Sequence, residues 1–178
     1  MWMNQARFDD PFEFGHTFLQ IRWRGRIERW GLFNYHYLGK NLGVFGTSLP
    51  WLSIHAPYLQ ISRHGLALWV TTPALFMALW PKRLTTLMVA LWAAVIPVAI
   101  LNLMYQNSGW AQFGYRFALD YMVLLFALMA LSRRRMGIGF AVLFCWSVAI
   151  NAFGAATFDR AGQYYNGDGT QEVMYQPD

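Results

Sequence analysis

Two stretches of 21 residues without a charge, Leu84 to Met104 (LTTLMVALWAAVIPVAILNLM) and Ile138 to Phe158 (IGFAVLFCWSVAINAFGAATF), constrain this chain most. A helix needs about 20 predominantly apolar residues to cross the ~30 Å hydrocarbon core of a bilayer. Each stretch is long enough, and Pro97 in the first is tolerated in a membrane helix, where it predicts a kink. Composition points the same way. Hydrophobic residues make up 56% of the 178 and charged residues only 13%, against about 25% charged in an ordinary soluble domain. The nine Trp suit a bilayer interface, where the indole ring lies in the acyl boundary and its N–H stays wet.

Two further spans are expected. Gly65 to Trp80 (GLALWVTTPALFMALW) has 16 residues and lengthens if Ser62 to His64 form its interfacial end. Phe117 to Leu131 carries Asp120 in its first turn and reaches spanning length if its helix begins near Ala111. The short turns Pro81 to Arg83 (PKR) and Ser132 to Arg135 (SRRR) then separate spans one from two and three from four. Short basic loops remain in the cytoplasm, so both turns are placed inside and both termini outside. The tail, with Asp159, Asp168, Glu172 and Asp178 against Arg160 alone, fits the outer side.

The N-terminal third reads differently. Arg22, Arg24, Arg26 and Arg29 alternate with Trp23, Ile27 and Trp30, as in a segment lying among lipid headgroups. Residues 32–52 are apolar but broken by Gly39, Lys40, Gly43, Gly46 and Pro50, and read as interfacial or re-entrant helix, with a fifth span as the alternative. The expected architecture is an all-α integral membrane protein. An extracytoplasmic and interfacial N-terminal region (1–64) precedes about four transmembrane helices (65–158) and an extracytoplasmic tail (159–178). The opening MWMNQARFDDPFEFG has no apolar signal-peptide core. Insertion is therefore expected from an internal segment, or the chain is the tail of something longer.

Candidate chemistry concentrates in Tyr105 to Asp120 (YQNSGWAQFGYRFALD), a polar, aromatic outer loop running into a span. Ionisable residues in a membrane span usually face the bundle interior or a water-filled cavity. The planar fork of Arg116 suits a phosphate or pyrophosphate, with Trp110, Gln112 and Tyr115 as neighbouring donors. The structural alternative is an i,i+4 ion pair between Arg116 and Asp120, in the weaker Arg-before-Asp order. A second stretch, Asn4 to His16, offers Arg7, Asp9, Asp10, Glu13 and His16. Paired carboxylates suit a cation or general-base work, but Asp-Asp-Pro is also an ordinary turn. Asn151, with Ser147 and Ala155 one turn away and Gly154 nearby, reads as helix packing. Asn166 to Thr170 is a glycine-rich turn without the spacing of a calcium loop. His36, His55 and His64 lack metal-ligand spacing, and Cys145 is alone in an apolar run, so no metal and no cofactor is expected.

The strings ARFDDPFEFGH, WGLFNYHYLGKNL, GLALWVTTPALFMAL and YQNSGWAQFGYRFALDY, taken in order, resemble the C-terminal half of a group of bacterial polytopic glycosyltransferases. These are similar to the protein mannosyltransferase and aminoarabinose transferase families, the C-type membrane fold, and the resemblance runs from about Asn4 to Asp159. It implies the bacterial cytoplasmic (inner) membrane, a polyprenyl-phosphate-linked sugar donor and transfer on the extracytoplasmic side. In that family the catalytic carboxylate lies in the first external loop, after a first span that precedes this region. No residue here matches it, so none is carried over. Arg7, Glu13, Gln112, Tyr115, Arg116 and Asp120 stand in the resembling strings as donor or acceptor contacts. The expectation is a membrane-embedded C-terminal portion, inactive alone, whose partners are the lipid bilayer, the polyprenyl-phosphate sugar and a chain supplying N-terminal spans. No nucleic acid is expected. The alternative is a small non-enzymatic structural or accessory membrane protein. A transporter is disfavoured by the lack of paired broken helices or a duplicated half.

Overall fold

The computed structural model describes residues 1–165 apart from 14, 16, 17, 19, 21 and 22. His16, Arg22, the Asn166 to Thr170 turn and the tail acids Asp168, Glu172 and Asp178 lie outside the described residues. Among the described residues the chain is mostly helical. Its α-helices are α1 (Trp2–Phe8), α2 (Arg24–Trp30), α3 (Leu38–Thr47), α4 (Leu68–Thr71), α5 (Phe76–Leu79), α6 (Thr86–Met104), α7 (Leu119–Leu131) and α8 (Ile138–Thr157). Two short antiparallel strands, β1 (Trp51–Leu52) and β2 (Leu59–Gln60), pair Trp51 with Gln60 and Leu52 with Leu59.

Two helices, α6 and α8, are long and apolar enough to cross a membrane. Thr85 caps α6 by accepting the Met88 N–H at 3.3 Å, and the helix continues through Pro97. Both helices turn apolar side chains outward. Leu87, Val89, Ile96 and Ile100 are exposed on α6, and Val142, Phe144, Trp146 and Val148 on α8. Contiguous apolar surface of this kind marks an interaction or membrane face in water and carries no penalty in lipid.

The other two expected spans are corrected in their local structure. Gly65 to Trp80 is not one helix. It is α4, a 3-10 turn at Pro73–Leu75 and α5, with a break at Thr72 (φ −142°, ψ 64°). Pro73 has no N–H to donate and pushes the preceding residue toward extended backbone. Nor does helix begin near Ala111, which is left-handed at φ 59°. It begins as a 3-10 turn at Arg116–Ala118 and continues as the 13-residue α7, together about 25 Å long. In the 32–52 region, α3 has 10 residues, or about 15 Å, half the hydrocarbon depth.

The broken segment is the centre of the molecule. The α7 helix lies against α5, α6 against α7 and α3, and α8 against α4 and the Pro73 turn. Val44, Leu75, Ala78, Met88, Val95, Tyr121, Leu125 and Leu128 form the shared core. The break frees the carbonyls of Val70 and Thr71, and α8 satisfies both. Trp146 Nε1 donates to Val70 O at 2.8 Å and Asn151 Nδ2 to Thr71 O at 2.8 Å. A break inside the body is tolerated where a neighbouring helix satisfies the freed backbone groups in this way.

The helical body has two distinct ends. At one, the two basic turns meet: Lys82 N–H donates to Ser132 O at 3.0 Å, and Arg134 Nε to Trp80 O at 2.6 Å. At the other, residues 61–67, 105–116 and 158–165 are woven together. Leu66 N–H donates to Phe113 O at 2.7 Å, Gln112 N–H to Arg63 O at 3.1 Å and Ile61 N–H to Tyr164 O at 2.8 Å.

Candidate functional site

The loop from α6 to α7 turns inward because of its backbone. Asn107 Oδ1 accepts the N–H groups of Gly109 at 2.9 Å and Trp110 at 3.2 Å. Gly109 (φ 92°) and Ala111 (φ 59°) then take left-handed conformations, which glycine adopts freely and alanine only under strain. This folds Gln112 beneath the loop. Its Nε2 donates to the Ser108 carbonyl at 2.8 Å and to the His64 carbonyl, and its Oε1 accepts the Arg116 N–H at 3.2 Å. A Cβ at Gly109 would collide with the Gln112 amide.

His64 completes this knot. Its Nδ1 and Ser108 Oγ share a hydrogen bond of 2.5 Å, and its ring meets the Trp110 indole edge-on at 4.9 Å. Burial first, and the nearby Lys40 charge second, lower its pKa from 6.5 to about 4. The imidazole is therefore neutral at pH 7.

A second cluster grips the end of α6. Asn41 Nδ2 donates to the carbonyls of Leu103 at 2.8 Å and Tyr105 at 2.7 Å. Lys40 Nζ donates to Gln106 O at 3.3 Å, and Arg26 Nη2 to Gln106 Oε1 at 3.0 Å. Tyr37 OH, donating to Gly31 O at 2.9 Å, fixes the turn after α2 against α3. Burial lowers the Arg26 pKa from its ordinary value, with Tyr37 opposing.

The Arg116–Asp120 ion pair, the structural alternative for these two residues, does not form. Among the described residues the one ion pair is Arg24–Glu28. Arg116 sits in a 3-10 turn, so the α-helical i,i+4 geometry is lost, and its guanidinium lies over Phe117 at 5.6 Å. Asp120 Oδ2 instead accepts from Asn102 Nδ2 of α6 at 2.9 Å. Both Arg116 and Asp120 are exposed, while Gln112 and Tyr115 are buried. Tyr115 packs edge-on against Phe45 at 5.3 Å, and burial, with Tyr121 and Asp120 adding to it, pushes its phenol well above the ordinary range.

The sequence-expected residues therefore divide. Trp110, Gln112, Tyr115, Arg116 and Asp120 belong to one end of the body. Arg7 and Glu13 are held by contacts within the N-terminal segment, Arg7 over Phe8 at 5.2 Å and Glu13 accepting from the Gly15 N–H. Beside them, Phe12 N–H donates to Asp10 Oδ1 at 2.8 Å in a turn, and no group of acids, histidines or cysteines among the described residues has metal-site geometry. Gln106 and Ser108 fall within the polar stretch Tyr105 to Asp120 but were not named as contacts, and Lys40, Asn41 and His64 were not among the expected site residues. Of these three, Asn41 carried a readable signal, an amide inside the apolar run LGKNLGVF with Val44 one turn on.

Between α3, the central segment, α6 and α7 runs an open cleft of about 370 Å³. Every lining residue except Thr72 is apolar or aromatic. It extends from Leu79, next to the basic turns, past Trp92 and Ala99 to Leu103, where the Asn41 and Gln106 cluster begins. Compared with known proteins, the chain matches no protein-family model, no curated protein and no solved structure.

Proposed function

We propose that this chain is the lipid-handling, C-terminal portion of a C-type glycosyltransferase of the bacterial cytoplasmic membrane. In this reading α6, α8, the broken α4–α5 segment and α7 make four passages. Their basic turns lie inside, and the loop at Gln112 lies outside. The apolar cleft holds the isoprenoid of a polyprenyl-phosphate sugar, with the headgroup at the outer end. No residue described above is assigned as the catalytic carboxylate, and the transfer chemistry is assigned to spans supplied from elsewhere.

The supporting observation is the cleft itself. It runs from the basic turns to the polar end, and its walls are apolar along that length. Membrane passage is supported by the outward apolar faces of α6 and α8 and by the meeting of both basic turns at one end. Where the two shorter passages fall below ~30 Å, they are shielded by protein rather than lipid.

The test is lipid analysis of the purified chain by mass spectrometry. Polyprenyl phosphate or its sugar conjugate is expected to co-purify, and Ala99→Trp, which fills the cleft, is expected to abolish this while insertion persists. Recovery of ordinary phospholipid alone would sink the proposal. A neighbouring upstream reading frame encoding several spans and an external Asp or Glu is also expected. A specific observation favours the accessory-protein alternative: Gln112, the best-connected of the expected ligand contacts, is fully engaged in holding its own loop. In that case Gln112→Ala lowers membrane level and any glycan phenotype together.

A further inference from the structure

The proposed function leaves the groove at the basic end without a role. This groove, of about 630 Å³, lies between α5 and the first turns of α8. Its place follows from the break at Thr72 and Pro73. The α8 helix packs on α4 and the Pro73 turn, whereas α5 packs on α7, and the space between α5 and the start of α8 stays open. Phe76 and Met77 line it from α5, Phe140 and Leu143 from α8, and the exposed Trp80 stands at its charged end. Leu143 lies about 8 Å along the helix axis from Ile138. The apolar walls therefore reach below the basic turns to the depth of a glycerol backbone and the first acyl carbons.

Three cations stand at the mouth, Lys82 from the first basic turn and Arg134 and Arg135 from the second. None of them is in an ion pair among the described residues. Arg134 is held in position, since its Nε donates to Trp80 O at 2.6 Å. With Nε engaged, Nη1 and Nη2 remain as a planar fork, the geometry that takes two phosphate oxygens at once. Exposed cations by themselves need no ligand, because water solvates them. The walls are not so indifferent, and Phe76 and Trp80 are exposed apolar surface beside those charges. A soluble anion would satisfy the cations and leave the walls wet. A zwitterionic phospholipid would cover the walls but bring a cation of its own toward three others. An anionic phospholipid satisfies both.

We propose that the groove between α5 and α8 binds an anionic phospholipid of the membrane. Its phosphate sits on the Arg134 fork with Lys82 and Arg135 beside it, and its acyl chains run along Phe76, Phe140 and Leu143. The site rests on the membrane passage proposed above and not on sugar transfer.

The test places the full chain in phosphatidylcholine nanodiscs with both leaflets alike, so that orientation does not enter. Phosphatidylglycerol with brominated acyl chains is added in steps. Quenching of Trp80 is read as the difference between the native chain and Trp80→Phe. Half-maximal quenching is expected at a mole fraction about five-fold or more below that needed with brominated phosphatidylcholine. Lys82→Gln combined with Arg134→Gln is expected to remove this preference. Arg83→Gln combined with Arg133→Gln takes the same charge from the same two turns, at residues that do not line the groove, and is expected to leave it unchanged. Arg135→Gln alone is expected to lower the preference, and decides the matter if the first double variant does not fold. Equal quenching by the two brominated lipids overturns the proposal. So does an equal loss in the two double variants, which would mean diffuse attraction to a basic surface. Failure of the chain to enter nanodiscs would sink the membrane passage and the site with it. The transferase reading is decided separately, by the lipid that co-purifies.

Discussion

At the end of the body where α5 and α7 finish, Lys82, Arg83, Arg133, Arg134 and Arg135 all stand exposed. Where α6 finishes, Arg26 is turned inward, and Asn41, His64, Gln106, Ser108 and Gln112 are buried. The first end keeps its charges in water and meets the rest of the chain through backbone groups at Ser132 and Trp80. The second encloses polar groups, and each one must then find a partner. The contrast separates two uses of polarity in one small chain. Solvated charge places little demand on packing, whereas enclosed polarity sets shape and is intolerant of change.

If so, glycines at the two ends should differ most. Gly109→Val forces a branched residue to φ 92° and into the Gln112 amide, and about 3 kcal/mol or more of stability should be lost. Gly137, beside the basic turn, has an extended backbone, and a Cβ there would meet nothing within 4 Å. Gly137→Val should change stability by no more than about 0.5 kcal/mol. Thermal unfolding in detergent compares the two, and equal losses would break the contrast. Next in size is Gln112→Leu, which strands the buried carbonyls of His64 and Ser108 and should cost about 2 kcal/mol. Its counterpart Arg134→Ala removes an exposed donor to Trp80 O and should cost about 0.5 kcal/mol or less.

A pH dependence follows from His64. Its pKa is about 4 in the folded chain and returns to 6.5 on unfolding. Between those values the unfolded chain binds the proton and the folded chain does not, so stability is fully present above pH 6.5 and declines as pH falls toward 4. The slope approaches 1.4 kcal/mol per pH unit from this one group, and about 1–2 kcal/mol should be lost at pH 5. His64→Gln should flatten that part of the profile. An unchanged slope in the variant would place the dependence on other groups.

Legibility from the sequence followed the same division. The α6 and α8 helices could be read because apolar residues surround them, a pattern that needs no knowledge of neighbours. The central segment has similar composition, but its break depends on Thr72 and Pro73 and its burial on helices far along the chain. The loop Tyr105 to Asp120 could be picked out as the polar end. Which of its side chains faced inward could not, because that rests on left-handed residues 109 and 111. Its partners were hidden by distance: His64 lies 44 residues from Ser108 and Arg26 lies 80 from Gln106. The Arg116–Asp120 pair failed for a related reason. Counting four residues presumed an α-helix, and Asn102, 18 residues from Asp120, took the carboxylate.

The smallest effect on stability should come from the most drastic change at the basic end. Replacing Lys82, Arg83, Arg133, Arg134 and Arg135 together by Ala removes five exposed charges, none of them in an ion pair among the described residues. The Ser132–Lys82 contact is made by backbone and survives such replacement. Stability of correctly inserted protein should therefore change by about 1 kcal/mol or less. Orientation should suffer instead, because short-loop Lys and Arg determine which loops stay in the cytoplasm. In a Cys145→Ala background, single cysteines at the exposed positions Met136, beside the second basic turn, and Gln163, at the polar end, can be labelled from outside the cell. The native arrangement should label only Gln163→Cys, and the neutralised variant both positions. If labelling stays confined to Gln163→Cys after neutralisation, orientation is set by the enclosed polar end, and the division of labour between the two ends fails.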